Sequence, residues 1–344
     1  MAIRVAINGF GRIGRAVFKV AHTRPEIEVV GINDLGDAHN LAYLLKYDTA
    51  YRTSDFSVSV KEDGSALIVD GKEIRFISER DGSKLPWKEL NVDIVVESTG
   101  LFTSYEKAKF HLEAGARRVV ISAPAKDSGE GPKASTVLMG INEHELETCD
   151  ISSNASCTTN AGSPLIQILH EAVGIEKAML NTTHGYTASQ SLVDAPNKKD
   201  FREGRAAAMN MVPASTGAAI AVTKVVTDLE NKFDGIAVRV PVVTGSLVDV
   251  TFLAKRNTTV EEINDALSKA AGEDRWKRTF AVTDEPLVSS DIIGRAQASI
   301  VDLALTRVVD GNLVKVMAWY DNEMGYTHSL VEHVIRSGRY LQGW

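Results

Sequence analysis

The chain has 344 residues, 44% apolar and 24% charged, the balance of a soluble globular protein long enough for two domains. Lys and Arg number 38 against 45 Asp and Glu, a net charge of −7 with no basic block. That argues against a nucleic-acid binder but allows small phosphates to be held by a few Arg and helix ends. No apolar run approaches the roughly 18–20 residues of a membrane span, the opening residues carry no signal-peptide pattern, and the two cysteines, Cys149 and Cys157, are too few and too close for a disulfide scaffold; a cytoplasmic protein with reduced thiols, no membrane partner and no metal is expected.

In chain order, Ile3–Ile7 reads as a strand, a Gly-rich turn follows, and Ile13–His22 has helical spacing. Ile27–Ile32 is the next strand, and Val92–Ser98 and Arg118–Ser122 are two more, so strand and helix alternate as in right-handed units on a parallel sheet. Phe56–Val60 and Ala66–Val69 flank Asp63-Gly64 and predict a small antiparallel insertion. Ala125–Thr136, rich in Gly, Lys, Ser and Asp, reads as an exposed loop. Beyond residue 157 the texture changes. Thr158–Ala172 is helical, with Leu165, Ile168 and Leu169 on one face. Strands are predicted over Ala178–Thr183, Gly235–Val243, Leu247–Ala254, Ile300–Leu305 and Leu313–Trp319, an α+β texture that suits a mixed sheet. Ser189–Pro213 has seven charged residues, two Pro and no clean period, the marks of a long, ordered, functional loop.

Between the first strand and helix lies Asn8-Gly9-Phe10-Gly11-Arg12-Ile13-Gly14-Arg15. Here Gly9 permits the tight turn, Gly11 admits a pyrophosphate to the backbone amides, and Gly14 lets helix and strand pack closely. Three glycines alone are a weak signal. The second strand, however, ends at Asp34, 20 residues after Gly14, where a carboxylate accepts ribose hydroxyls and repels a 2′-phosphate. The cofactor read from this set is NAD. The fold class is α/β: a Rossmann-type, parallel-sheet NAD-binding domain over 1–156, joined by a C-terminal helix over 322–344, plus an α+β catalytic domain with a mixed sheet over 157–321.

Ser152-Ser153-Asn154-Ala155-Ser156-Cys157-Thr158-Thr159-Asn160 places a cysteine where capping residues give way to helix. Amides and dipole at a helix start lower a thiol pKa, so Cys157 is predicted to be a nucleophile; Cys149 lacks that setting. His184 ends the strand over Ala178–Thr183 and can serve as the base for such a thiol. By itself either residue is as readily structural.

Four segments then resemble one family: Asn8–Arg15, Ser153–Asn160, Ser215-Thr216-Gly217-Ala218-Ala219 and Trp319-Tyr320-Asp321-Asn322-Glu323 are similar to those of the phosphorylating glyceraldehyde-3-phosphate dehydrogenases, in the same order across nearly the whole chain. The resemblance implies that Cys157 is the nucleophile and His184, 27 residues on, the base. It implies that Thr187 and Arg239 hold the phosphate of the aldehyde substrate, and Ser156, Thr158, Thr216 and Gly217 the attacking inorganic phosphate. For NAD it assigns Arg12 and Ile13 to the pyrophosphate, Asp34 to the ribose, Arg80 to the adenine, and Ser122 and Asn322 to the nicotinamide. Pro196 agrees with NAD-using members, though Ala195 before it departs from their usual Leu. It also implies a homotetramer in which a loop such as Ser189–Pro213 crosses between subunits.

Some residues depart from the family pattern. Ile220 stands where Thr-Gly-Ala-Ala is normally followed by Lys, one positive charge fewer near the expected phosphate region. Val242-Val243-Thr244-Gly245-Ser246 replaces the usual Thr-Pro-x-Val-Ser. The alternatives are an erythrose-4-phosphate dehydrogenase, against which the intact Thr216-Gly217 speaks, and a non-catalytic NAD-binding protein, which has no need of Cys157, His184 and Arg239 together.

Overall fold

The structure is a computed structural model that describes residues 2–127, 133–198 and 200–342. Packing divides the chain into two compact units. One comprises Met1–Val137, Asn142–Ala155 and Leu330–Trp344, the other Leu138–Ile141 and Ser156–Ser329. The cut falls within the C-terminal helix, Met324–Gln342.

In the first unit the described residues form a sheet ordered 134–136, 151–153, 118–121, 94–97, 3–8, 27–33, 72–77, 66–69, 58–60. Pairing is parallel as far as 72–77 and antiparallel beyond it. Ile3–Asn8 and Ile94–Glu97 are buried along almost their whole length, as central parallel strands must be when both faces are covered. Their register sets Asn8 opposite both Asn33 and Glu97. The carboxyl ends of three strands therefore lie level, and open parallel sheets bind ligands beside such ends.

Several short strands escaped the sequence reading. The predicted antiparallel pair around Asp63-Gly64 forms, and Lys72–Ile77, whose mixed polarity hid it, ties that pair into the main sheet. Ala134–Thr136, read as loop, pairs with Ile151–Ser153, because three residues are too few to show a period of two. Residues 128–132 of that predicted loop lie outside the described residues.

The second unit carries a mixed sheet ordered 212–215, 233–240, 175–185, 246–254, 313–320, 299–302, 280–283, with 307–309 added beside 313–320. Strand Ser246–Ala254 alternates strictly, turning Ser246, Val248, Val250, Phe252 and Ala254 inward. Helices Cys157–Val173 and Val260–Ala271 lay Leu165, Leu169, Ile263 and Leu267 on that face. The same period buries Leu180, Thr182 and His184 on Ile175–Gly185. The predicted strand Gly235–Val243 stops at Val240, where Pro241 offers no N–H to the ladder. Ile300–Leu305 stops at Asp302, whose carboxylate caps a 3-10 turn at Leu303–Leu305. The long loop Ser189–Pro213 contains two 3-10 turns and runs into the edge strand Val212–Ser215.

Candidate active site

In the first unit each glycine of the turn has its own reason. Gly9 sits at φ +91°, and a Cβ there would stand 2.6 Å from the Thr99 nitrogen. A Cβ on Gly14 would stand 2.1 Å from the Gly9 carbonyl oxygen, so only glycine lets helix and turn close up. At Gly11 nothing lies within 4 Å, and no side chain caps the helix Arg12–His22 that starts there. That is an open cradle at a positive helix end, the setting a pyrophosphate fits. Asp34 is held on the rim, one oxygen taking the Phe10 N–H at 2.6 Å and the other the Gly36 N–H at 2.8 Å. A cavity of about 510 Å³ opens beside it, lined among others by Gly9, Gly11, Arg80, Thr99 and Phe102. Arg12 reaches the Asp48 carboxylate at 3.3 Å and lies over the Tyr51 ring. Ile13 is half-buried in the first helical turn. Ser122 donates to the Glu97 carbonyl at 3.0 Å. The residues present fit a dinucleotide.

In the second unit the chain enters the cysteine helix through Ser156, whose hydroxyl accepts the Thr159 N–H at 3.0 Å and so caps it. Cys157 is the first helical residue, and its Sγ stands 3.4 Å from Nε2 of His184. Parallel register sets Arg239 directly beside His184. An Arg239 Nη lies 2.5 Å from His184 Nδ1 and 3.4 Å from the Gly185 carbonyl, which is itself 2.6 Å from Nδ1. A guanidinium can only donate. The Gly185 carbonyl can only accept, so these two neighbours favour opposite tautomers of His184: Arg239 a proton on Nε2, Gly185 a proton on Nδ1.

Burial, then the charge of Arg239, holds His184 down at about 3. Burial also pushes the Cys157 thiol up, against the pull of Arg239 and of hydrogen bonds from Thr158. The lowering expected from the helix start is thus outweighed, because packing removes more hydration from the thiolate than the amides return. The group that can tip this balance is Arg239, since its charge acts on both partners.

The structure brings Cys157, His184, Arg239 and Thr158 together. Thr158 is buried, its hydroxyl 2.9 Å from the Tyr320 hydroxyl. The Thr187 hydroxyl pairs with Ser189. Thr216 accepts the Ala218 N–H at the start of a short helix, Ala218–Thr223, and Gly217 has open space above it. No described hydrogen bond ties Thr187, Thr216 or Gly217 to the Cys157 group. The Arg239 Nε is buried without a partner among the described residues, a donor suited to an anion. The Asn322 amide oxygen takes Ser246 Oγ at 2.8 Å and the Gly245 N–H at 3.2 Å.

Two contributors escaped the sequence reading. Tyr320 bridges Thr158 and Thr182 through its hydroxyl and sets its ring edge-on to His184 at 5.8 Å. Ser246 accepts the Gly185 N–H and donates to Asn322. The period of two along Leu313–Tyr320 turns Tyr320 inward, a signal present in the sequence. Ile220 is on the short helix that Gly217 starts, and lines a cavity with Lys177, Met179, Phe233 and Leu313.

A glycine-rich turn between strand and helix on a parallel sheet, with an open cradle and a carboxylate on its rim, is the site of a nucleotide-dependent oxidoreductase. A family model for the glyceraldehyde 3-phosphate dehydrogenase NAD binding domain matches residues 3–105, and one for the C-terminal domain of the same enzymes matches 156–322. The chain is 52% identical over 332 residues to the glyceraldehyde-3-phosphate dehydrogenase of Thermotoga maritima, spanning 96% of this chain and 97% of the relative. It is 49% identical over 334 residues to that of Geobacillus stearothermophilus, with the same coverage. A Streptomyces avermitilis enzyme, glyceraldehyde-3-phosphate dehydrogenase 1, is 45% identical over 341 residues, 98% of this chain and 99% of the relative. The chain belongs to the glyceraldehyde-3-phosphate dehydrogenase family, and its cofactor is NAD.

Proposed function

We propose that this protein oxidises D-glyceraldehyde 3-phosphate with NAD and inorganic phosphate to 1,3-bisphosphoglycerate, the oxidation step of glycolysis, through a thioester on Cys157. The observation that carries the reading is the Cys157–His184 pair at 3.4 Å with Arg239 on the far side of the imidazole. Arg239 and Thr187 bind the phosphate of the aldehyde. As Arg239 turns to that anion it leaves Nδ1, which can then donate to the Gly185 carbonyl. Nε2 is thereby left with a lone pair beside the sulfur, and His184 becomes a base. His184 takes the thiol proton as the Cys157 sulfur adds to the aldehyde carbon, and returns it to the former carbonyl oxygen to give a thiohemiacetal. His184 then removes the hydroxyl proton as the carbon gives up its hydride, and a thioester results. NAD, when bound, would supply the hydride acceptor; Asn322 and Ser122 would hold its nicotinamide, and Gly9, Gly11, Gly14, Arg12, Ile13, Asp34 and Arg80 the rest of the cofactor. Inorganic phosphate, held by Ser156, Thr158, Thr216 and Gly217, attacks the thioester carbon, and the Cys157 thiolate leaves as the acyl phosphate forms.

A homotetramer in the cytoplasm completes the reading. It is supported by Leu192, Phe201, Met209 and Met211 of the long loop, each at least three-quarters exposed, large apolar side chains open to a second copy of the chain. In addition, no helix among the described residues is long and apolar enough to cross a membrane. The test is NADH formation with glyceraldehyde 3-phosphate and with erythrose 4-phosphate, each with and without inorganic phosphate. Turnover should require the three-carbon aldehyde and phosphate; faster turnover of the four-carbon substrate without phosphate would move the protein to the erythrose-4-phosphate branch.

A further inference from the structure

Beneath the dinucleotide turn lies a buried chain of polar groups that the mechanism does not use. Glu97 is 2% exposed and His111 fully buried. The His111 Nδ1 stands 2.9 Å from the Trp87 indole nitrogen, which can only donate. The imidazole proton therefore sits on Nε2 and is given to the Glu97 carboxylate at 3.0 Å. The same carboxylate takes the Asn8 amide at 2.6 Å and both the N–H and the hydroxyl of Thr99. The Asn8 oxygen in turn accepts from the Asn33 amide at 2.7 Å, and Asn33 closes a pair of bonds onto the backbone of Glu79.

Donors converge on the carboxylate from both sides: the indole fixes the His111 imidazole on one, and on the other the carboxylate fixes the Asn8 amide, which in turn fixes that of Asn33. Its ends are three walls of one cavity: the Asn8-Gly9 turn, the Ser98-Thr99 segment and the Glu79-Arg80 segment. We infer that Glu97 and His111 are positioning residues for the adenosine half of the dinucleotide site. They set the spacing of its three walls from below without touching the ligand. The inference rests on the reading of that cavity as the NAD site.

The test uses the full-length protein and measures the dissociation constants of NAD and of ADP-ribose by fluorescence titration. Glu97→Gln keeps size and shape, but the carboxylate accepts on both sides, from Asn8 and His111 with one oxygen and from Thr99 with the other, so the new amide N–H must face donors on one side. Towards Thr99 it meets the backbone N–H, and towards Asn8 it turns that amide away from Asn33, so one wall of the cavity loses its bond in either orientation. Binding of both ligands should weaken roughly 10- to 100-fold, on the scale of one buried polar group left unsatisfied, and KM for NAD should rise with kcat nearly unchanged. Glu97→Asp keeps a carboxylate that can accept on both sides, and this variant should retain more of the affinity than Glu97→Gln. A fold defect alone would show equal loss in the two variants, or unfolding without change in affinity, and either result overturns the inference. Gly11→Val serves as the control, because its side chain enters the open cradle. If Gly11→Val leaves NAD binding intact, the reading of the site fails; if it abolishes binding while Glu97→Gln does nothing, only the positioning role fails.

Discussion

Replacing Arg239 perturbs two things that the structure couples. Arg239→Leu removes the donor that meets Nδ1 at 2.5 Å and the buried Nε that has no described partner. For substrate binding, loss of a charged partner costs about 2–4 kcal/mol, so kcat/KM for the aldehyde phosphate should fall roughly 30- to 1000-fold, and far less for unphosphorylated glyceraldehyde. For ionisation the sign follows from the causes. Arg239 lowers both partners, so without it His184 should rise from about 3 towards its ordinary 6.5, and the Cys157 thiol should rise further. Alkylation of Cys157 by iodoacetamide, followed against pH, should then be slower at neutral pH with its midpoint moved up. Arg239→Lys keeps the charge and loses the planar fork. It should restore the alkylation profile more than it restores kcat/KM for the aldehyde phosphate. If Arg239→Leu left the alkylation profile unmoved, the proposed hold of the guanidinium on His184 and Cys157 would be wrong.

Cys157→Ser should abolish dehydrogenase activity with NAD binding retained, and iodoacetamide should label Cys157 well ahead of Cys149, whose thiol burial pushes up to about 11; equal labelling contradicts the assignment. Asp34 should make NAD preferred over NADP by at least about tenfold in kcat/KM, roughly 1.4 kcal/mol, and Asp34→Ala should narrow the gap mainly by improving NADP. Thr216→Ala should raise the requirement for inorganic phosphate while a pre-steady-state burst of NADH persists, since acylation precedes phosphate attack; loss of the burst with unchanged phosphate dependence would refute the separation of the two phosphate sites. His333 is buried between Ser152 and Asn154, and burial holds it at about 3 instead of 6.5. Its folded pKa is depressed, so the unfolded chain takes the proton first, and this residue should remove up to about 1.4 kcal/mol of stability per pH unit as pH falls from 6.5 towards 3. Denaturant melts of His333→Gln should lack that part of the slope.

Much of this protein could be read from the chain alone, and the reason is local in each case. The strand over Ile3–Ile7, the glycines and Asp34 lie within one strand-turn-helix-strand unit, so spacing alone places them. Cys157 follows Ser156, which caps its helix, and the alternation along Ile175–Gly185 turns His184 inward without reference to any other segment. What required the tertiary structure was every relation between residues far apart in the chain. Arg239 meets His184 only because two strands 55 residues apart pair in parallel register, and a parallel register leaves no trace in local pattern. The rise of the Cys157 thiol, against the helix-start expectation, came from burial, which no neighbour in sequence reveals. Lys72–Ile77 and Ala134–Thr136 became strands because a partner edge was there to receive them. The same holds for Glu97 and Asn8, which meet across 89 residues: in sequence they are a polar residue at the end of each of two apolar strands, and only the sheet that sets those ends level makes them one network.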